Sequence, residues 1–318
     1  MELKQTKTPR ELGREAVINT PTRLAEFYGR PENSDRYFEK IKDLFSRHHD
    51  LDLESYRAPF LHRRLHYRIS KLDLRSYKEY LEYLDVHPEE PDLFKDVVTI
   101  HVTGFFRDDT PFRFLEKYLL PRIDREKRGS NDKKIRILSA PCSTGEEPYS
   151  LAIIADYLIT EGNISSPVEI VACDIEPGAI ATAKEGIYPE EALKNISRVA
   201  VIRNFKHLKD NNYQVKPSIK SYVKFLVYDL LKPAPAAFGT FDLISCRNFL
   251  IYIARENQQT IIQNLIPTLR PAGYMMLGKT EGFPLLEMCT FAQINAVEHV
   301  YQYLPGRTKP VPAEQSRN

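Results

Sequence analysis

The sequence predicts a doubly wound α/β domain with a mostly parallel sheet, preceded by an all-helical region. Three observations carry this. From residue 135 onward, short β-branched runs alternate with segments of helical period, the pattern of strands joined by crossover helices. Between about residues 35 and 120, apolar residues recur at helical spacing without strand-like alternation. The stretch REKRGSNDKK (125–134) between these regions is polar, as domain linkers are.

Residues 1–33 are polar and broken by prolines, so they are expected to form a flexible arm. Residues 34–124 form the expected helical domain. Phe38, Ile41, Leu44 and Phe45 share one helix face, and Leu61, Leu65 and Ile69 repeat the pattern. Ser76 is placed to cap a third helix that turns Tyr80, Leu81 and Leu84 inward. Residues 125–304 form the α/β domain. IRILSAP (135–141), VEIVACDI (168–175), VKFLVYDLL (223–231) and FDLISCRN (241–248) read as successive strands. Helices are expected over residues 147–159, in PGAIATAKEGI, and over residues 256–269, where Pro271 and Gly273 end the last one. YMMLG (274–278) and HVYQYL (299–304) complete the sheet. The pattern weakens over about 190–222, where a small β subdomain is expected, with NYQVKP and YVKFL pairing across a short turn. Residues 305–318 read as a disordered tail.

Composition excludes several classes. A hydrophobic fraction of 42% with 28% charged residues rules out wholesale disorder. No apolar run approaches the ~20 residues of a membrane helix, and the N-terminus lacks a signal-peptide core. A cytoplasmic protein without membrane insertion is expected. The 45 basic residues nearly balance 43 acidic ones, for a net charge of +2, which argues against a dedicated nucleic-acid binder. Cys142, Cys173, Cys246 and Cys289 are far apart, without metal-ligand spacing. Free thiols and no metal site are expected.

In such a sheet, ligands bind beyond the C-terminal ends of the strands. The first strand leads into Cys142-Ser143-Thr144-Gly145-Glu146-Glu147. Two carboxylates there would repel phosphate, which disfavours NAD or ATP and favours an ammonium or sulfonium. Asp174 ends the second strand, where a carboxylate accepts from ribose hydroxyls. Asp229-Leu230 after the third offers an acceptor beside an apolar wall for adenine. Arg247-Asn248-Phe249, then Tyr252, follow the fourth. Any one such acid equally well caps a helix, and a Tyr such as Tyr252 is commonly a buried hydroxyl bonded to backbone. Together the strand ends describe a nucleoside with a cationic amino-acid tail, and S-adenosylmethionine fits. Arg57, Arg63, Arg64, Arg68, Lys71 and Arg75 cluster around one acid, Asp73. That run suits a solvated helix face or a dock for an acidic partner.

Ser143-Thr144-Gly145-Glu146-Glu147-Pro148-Tyr149-Ser150 resembles the signature loop of the chemotaxis receptor methyltransferases, the CheR family, as does Cys246-Arg247-Asn248-Phe249-Leu250-Ile251-Tyr252. Thr103-Gly104-Phe105-Phe106-Arg107-Asp108 resembles its T-x-F-F-R segment, and Asp174-Ile175 with Ala183 and Gly186-Ile187-Tyr188 a further motif. Pro271-x-Gly273 and Gly278-x-x-Glu281 resemble its closing strand. The resemblance spans about residues 36–304. It implies a class I S-adenosylmethionine-dependent methyltransferase fold and methylation of glutamate side chains on the cytoplasmic helical bundle of chemoreceptors, by a monomer. It implies cofactor contacts at His101, Thr103, Arg107, Glu147, Asp174, Asp229, Leu230, Asn248 and Phe249, with Arg107 and Tyr252 flanking the methyl-transfer site. Arg63, Arg64, Arg68 and Lys71 would dock the substrate. His101 stands where the family has Asn; both side chains donate and accept. Two other readings compete with this one. A cofactor-binding signalling module with weak or no catalysis is opposed by the retained Glu147, Asp174, Arg107 and Tyr252. A methyltransferase acting on a small molecule or nucleic acid is opposed by the basic helix and by CRNFLIY standing where an NPPY-type loop would be.

Overall fold

The computed structural model describes residues 27–48, 52–99, 103–129, 131–283 and 290–306. His101, the arm before residue 27 and the tail after residue 306 lie outside the described residues. The chain divides into two compact units, Met1–Val102 with Tyr252–Ala254, and Thr103–Ile251 with Arg255–Asn318. The sequence suggests a boundary at residues 125–134, but the division falls earlier. Phe112, Leu115, Leu119, Leu120 and Ile123 are buried with Ile135 and Ile137 in one core, so the segment they occupy belongs to the α/β unit.

The first unit is all-helical: α1 (Asp35–His48), α2 (Ala58–Lys71), α3 (Tyr77–Leu84) and α4 (Glu90–Val98). Phe38, Ile41, Phe45, Leu61, Leu65, Ile69, Tyr80 and Phe94 form its core, as the helical spacing requires. Ser76 caps α3 by accepting from the Glu79 amide at 3.1 Å, while the Glu79 carboxylate reaches back to the Arg75 amide at 2.8 Å. Such reciprocal capping satisfies donors that have no intrahelical partner. Helix α4 has no counterpart in the sequence reading. Pro91 sits in its first turn, where a missing N–H is harmless.

Two expectations for this unit are corrected. Phe27 and Asn33, assigned to the flexible arm, are packed: Phe27 is buried edge-on against His66 and Tyr77. Asn33 donates to the Phe27 carbonyl at 2.5 Å and accepts from the Tyr77 amide at 2.7 Å. Arg68 is not on a docking face. It is 5% exposed, and its Nε and Nη2 donate to the two Glu90 carboxylate oxygens at 2.6 and 2.5 Å, with the Tyr80 hydroxyl donating to Glu90 at 2.8 Å. A buried guanidinium requires such pairing, and α4 supplies it. Arg63 and Lys71 remain exposed, and Arg64 is half-buried with its guanidinium 5.2 Å over the Phe60 ring.

The second unit is built on a seven-stranded sheet of order β6-β2-β1-β7-β8-β10-β9. Its strands are β1 (Ile135–Ser139), β2 (Val168–Asp174), β6 (Val223–Val227), β7 (Phe241–Cys246), β8 (Leu269–Leu277), β9 (Phe291–Asn295) and β10 (Val300–Tyr303). The first five are mutually parallel, and β10 is antiparallel to β8 and β9. Before β1 come α5 (Thr110–Phe114), a π turn and α6 (Leu120–Arg128). Helices α7 (Glu146–Thr160), α8 (Pro177–Glu185) and α11 (Arg255–Leu265) join the strands. Between α8 and β6 lie α9 (Arg198–Asn204), α10 (Pro217–Lys220) and a small antiparallel sheet of order β3-β5-β4, with β3 Ile187–Pro189, β4 Phe205–His207 and β5 Asn212–Val215.

The strand NYQV is therefore β5, paired with β3 and β4. It does not pair with YVKFL, which enters the main sheet as β6 beside β2. Pro271 and Gly273 do not stand in front of the next strand but within β8, where the register against β7 shifts and Ala272 adopts φ 61°. A bulge tolerates a residue that cannot donate.

Candidate functional site

The strand order turns at β1 and β7: the chain winds one way through β2 and β6 and the other way through β8. A crevice opens at such a switch point, beyond the C-terminal strand ends. The residues there follow from four loops.

The loop from β1 to α7 makes a tight turn, with Ser143 at φ 49° and Gly145 at φ 96°. Glycine is required at 145 twice over, since a Cβ there would meet the Ala183 Cβ at 2.8 Å and the Tyr188 hydroxyl at 3.0 Å. Tyr188 donates to the Thr144 carbonyl at 2.6 Å. The two carboxylates of this loop part company. Glu146 is fully buried and accepts from the Thr144 hydroxyl at 2.7 Å. Glu147 is the partly exposed one; it accepts from Ser139 Oγ at 2.8 Å and Arg247 Nη1 at 3.1 Å. The sequence reading aimed both at the ligand; only Glu147 is available to one.

Asp174 at the end of β2 accepts from the Ser143 amide at 2.7 Å and the Glu176 amide at 3.1 Å. Ile175, next in the chain, is 55% exposed. After β6, the Tyr228 amide donates to the Asp174 carbonyl at 2.9 Å. Asp229 accepts from the Leu231 amide at 2.9 Å, and Leu230 is buried.

Arg247 ties these loops together, a role sequence reasoning did not assign. Its side chain is 1% exposed, with its guanidinium 5.1 Å over the Phe112 ring. Besides Glu147, it donates from Nη2 to the Arg107 carbonyl at 3.0 Å and lies 3.4 Å from the Asp108 carboxylate. Arg107 and Thr103 are part-buried. Phe106, Asp108 and Asn248 all have positive φ, at 50°, 62° and 58°; side chains rarely sit there, and such conformations gather at functional sites. The unit thus brings together Glu147, Arg247 and the backbone of Arg107, and joins Asp174 to the Ser143 turn and the loop preceding Asp229. Tyr252 belongs with the helical unit: its ring lies 5.1 Å from Phe60, and its carbonyl accepts from the Arg57 amide at 2.9 Å.

These acceptors are of the kind S-adenosylmethionine needs: carboxylates that could accept from a ribose or an ammonium, and an acceptor beside the buried Leu230. Among the described residues, the thiols of Cys142, Cys173 and Cys246 are buried. Burial, then the neighbouring Asp174 carboxylate, pushes the Cys142 and Cys173 thiols up, and burial, then Glu281, pushes Cys246 up. Among the described residues, no group of three or more His, Cys, Asp or Glu is placed to hold a metal, and no helix is long and apolar enough to cross a membrane.

Comparison with known proteins finds relatives for the chain as a whole. The model of the CheR methyltransferase SAM-binding domain matches residues 101–299, and that of the CheR all-alpha domain matches residues 36–99. The chain is 32% identical over 249 residues to chemotaxis protein methyltransferase 2 of Pseudomonas aeruginosa, covering 77% of this chain and 86% of that protein. It is 32% identical over 260 residues to the chemotaxis protein methyltransferase of Escherichia coli K12, covering 80% and 87%. The Listeria monocytogenes chemotaxis protein methyltransferase is 32% identical over 247 residues, covering 77% and 88%.

Proposed function

The chain belongs to the CheR methyltransferase family, and on that premise we propose that it methylates glutamate side chains of chemoreceptors, forming methyl esters with S-adenosylmethionine as donor. It is an S-adenosylmethionine-dependent methyltransferase of chemotaxis. The finer reading is that the acceptor is a carboxylate on a cytoplasmic helical bundle and that the enzyme works in the cytoplasm as a monomer. The observation that supports a methyl-transfer site here is the junction of Glu147, Arg247 and the Arg107 backbone at the sheet's switch point.

The chemistry asks little of the side chains. The bound donor supplies an activated methyl group on a sulfonium. A glutamate carboxylate, with a reference pKa of about 4.3, is already ionised at neutral pH, so no general base is needed. The protein's part is alignment and exclusion of water. Asp174 holds the ribose and Glu147 the ammonium; Asp229 and Leu230 hold the adenine, and Asn248 and Phe249 line the remaining wall. Thr103 borders the same crevice. Arg107 orients the accepting carboxylate by a charge-assisted hydrogen bond. Tyr252 carries its proposed positioning role on the CRNFLIY motif. Exposed Arg63 and Lys71, with Arg64, give the helical unit the charge to dock an acidic helix.

The test is incubation with methyl-labelled donor and receptor-bearing membranes, followed by mild alkali. Release of labelled methanol reports esters; label that survives alkali would overturn the glutamate assignment.

A further inference from the structure

The carboxylate of Glu281 gathers four backbone amides from two strand ends. One oxygen accepts from Gly278 N at 2.6 Å and Asn248 N at 2.8 Å; the other accepts from Phe249 N and Leu250 N, each at 2.7 Å. Glu281 is 2% exposed. Gly278 follows β8 and Asn248 comes just after β7, its parallel neighbour. Consecutive amides converge on one anion only where the backbone is folded into a concave nest, and Asn248 at φ 58° supplies the left-handed residue that makes one.

We propose that Glu281 is a positioning residue: it folds the turn at residues 248–250 into the shape that presents Asn248 and Phe249 to the S-adenosyl cofactor. The inference rests on the cofactor reading above. An ionised acceptor binds amides about twice as strongly as a neutral one. No residue of the turn itself supplies this acceptor. Its source lies 33 residues along the chain from Asn248. The anchor is itself held in place: the Glu281 carbonyl accepts from His299 Nδ1 at 2.6 Å, and its amide donates to the Gly278 carbonyl at 2.9 Å. Space at the nest is fully used. A Cβ on Gly278 would meet the Glu281 carboxylate at 2.6 Å and the Asn248 amide at 2.8 Å, so glycine stands there for room.

Two substitutions attack the nest from opposite sides. Glu281→Gln keeps the shape but turns an NH2 toward amides that need an acceptor. Gly278→Ala keeps the charge and displaces it. Each full-length variant is compared with the unsubstituted protein in three measurements: thermal melting, calorimetric titration with S-adenosylhomocysteine, and amide hydrogen exchange without ligand. Both variants are expected to melt cooperatively. Their product affinity should fall about tenfold or more, and exchange should quicken at residues 248–250 but not in β1 or β2. Unchanged affinity in both variants overturns the proposal, whether or not exchange quickens. So does failure of both to fold, because Glu281 then supports the core as a whole. If the unsubstituted protein itself does not bind the product, the cofactor reading is what fails.

Discussion

Arg247 and Glu147, a hundred residues apart in the chain, form an ion pair at the switch point of the sheet, Nη1 to Oε2 3.1 Å, with side chains 1% and 14% exposed. Removing one partner of a buried pair leaves an uncompensated charge and typically costs about 3–5 kcal/mol. Arg247→Ala is expected to lose stability of that order in urea unfolding, and to bind S-adenosylhomocysteine more weakly by calorimetry. The paired substitution Arg247→Met with Glu147→Gln should recover most of the stability and none of the affinity. Recovery of both would show that the pair serves only the fold.

Asp174→Ala is expected to abolish product binding by calorimetry, because it removes both the proposed ribose acceptor and the partner of the Ser143 amide. Asp174→Asn keeps one carbonyl acceptor and should bind weakly yet measurably. Unchanged affinity in either variant would remove the ribose assignment.

The basic run on α2 should separate into two kinds of residue. Arg63→Glu with Lys71→Glu alters exposed positions, and is expected to leave product binding and melting unchanged while receptor methylation falls several-fold. Arg68→Ala strands the buried Glu90 carboxylate and should destabilise the helical unit by about 3–5 kcal/mol. A stable Arg68→Ala variant with a selective methylation defect would return Arg68 to the docking face.

Acid stability should carry the signature of Asp124. Burial raises its pKa, but hydrogen bonds from Ser166, Arg128 and Ser165 outweigh that and bring it from 3.8 to about 2. A carboxyl depressed in the folded state stabilises fully above its unfolded pKa and ceases to do so as pH falls through the folded one. The contribution at neutral pH is about 2 kcal/mol, lost between about pH 4 and pH 2. Asp124→Asn should lower stability at pH 7 and flatten that part of the acid titration, read by urea unfolding at each pH. An unchanged slope would mean other carboxyls carry it.

Much of this was legible because it is local. β-branched runs and helical periods mark β1, β2, β7 and α1 to α3 without reference to distant residues, and position at strand ends alone makes Asp174 and Asp229 candidates. Where the reading slipped, the deciding contact came from elsewhere in the chain. Periodicity sets Arg64, Arg68 and Lys71 on one face but is blind to Glu90, 22 residues on, which draws Arg68 inside. Strand propensity marks NYQV but cannot choose its partner, since pairing depends on which edges are free once α8 has turned the chain.

By itself, then, the amino-acid order determined the alternation of elements, the chemistry at the strand ends and the ligand class they suit. Tertiary structure alone decided which of Glu146 and Glu147 is open to a ligand, that Arg247 binds the loops together, and that Glu281 anchors the turn at Asn248. The physical reason is that side-chain direction and charge pairing are settled by desolvation. A buried ionised group takes whichever complementary partner the fold brings within about 3 Å, and that partner can lie anywhere in the sequence.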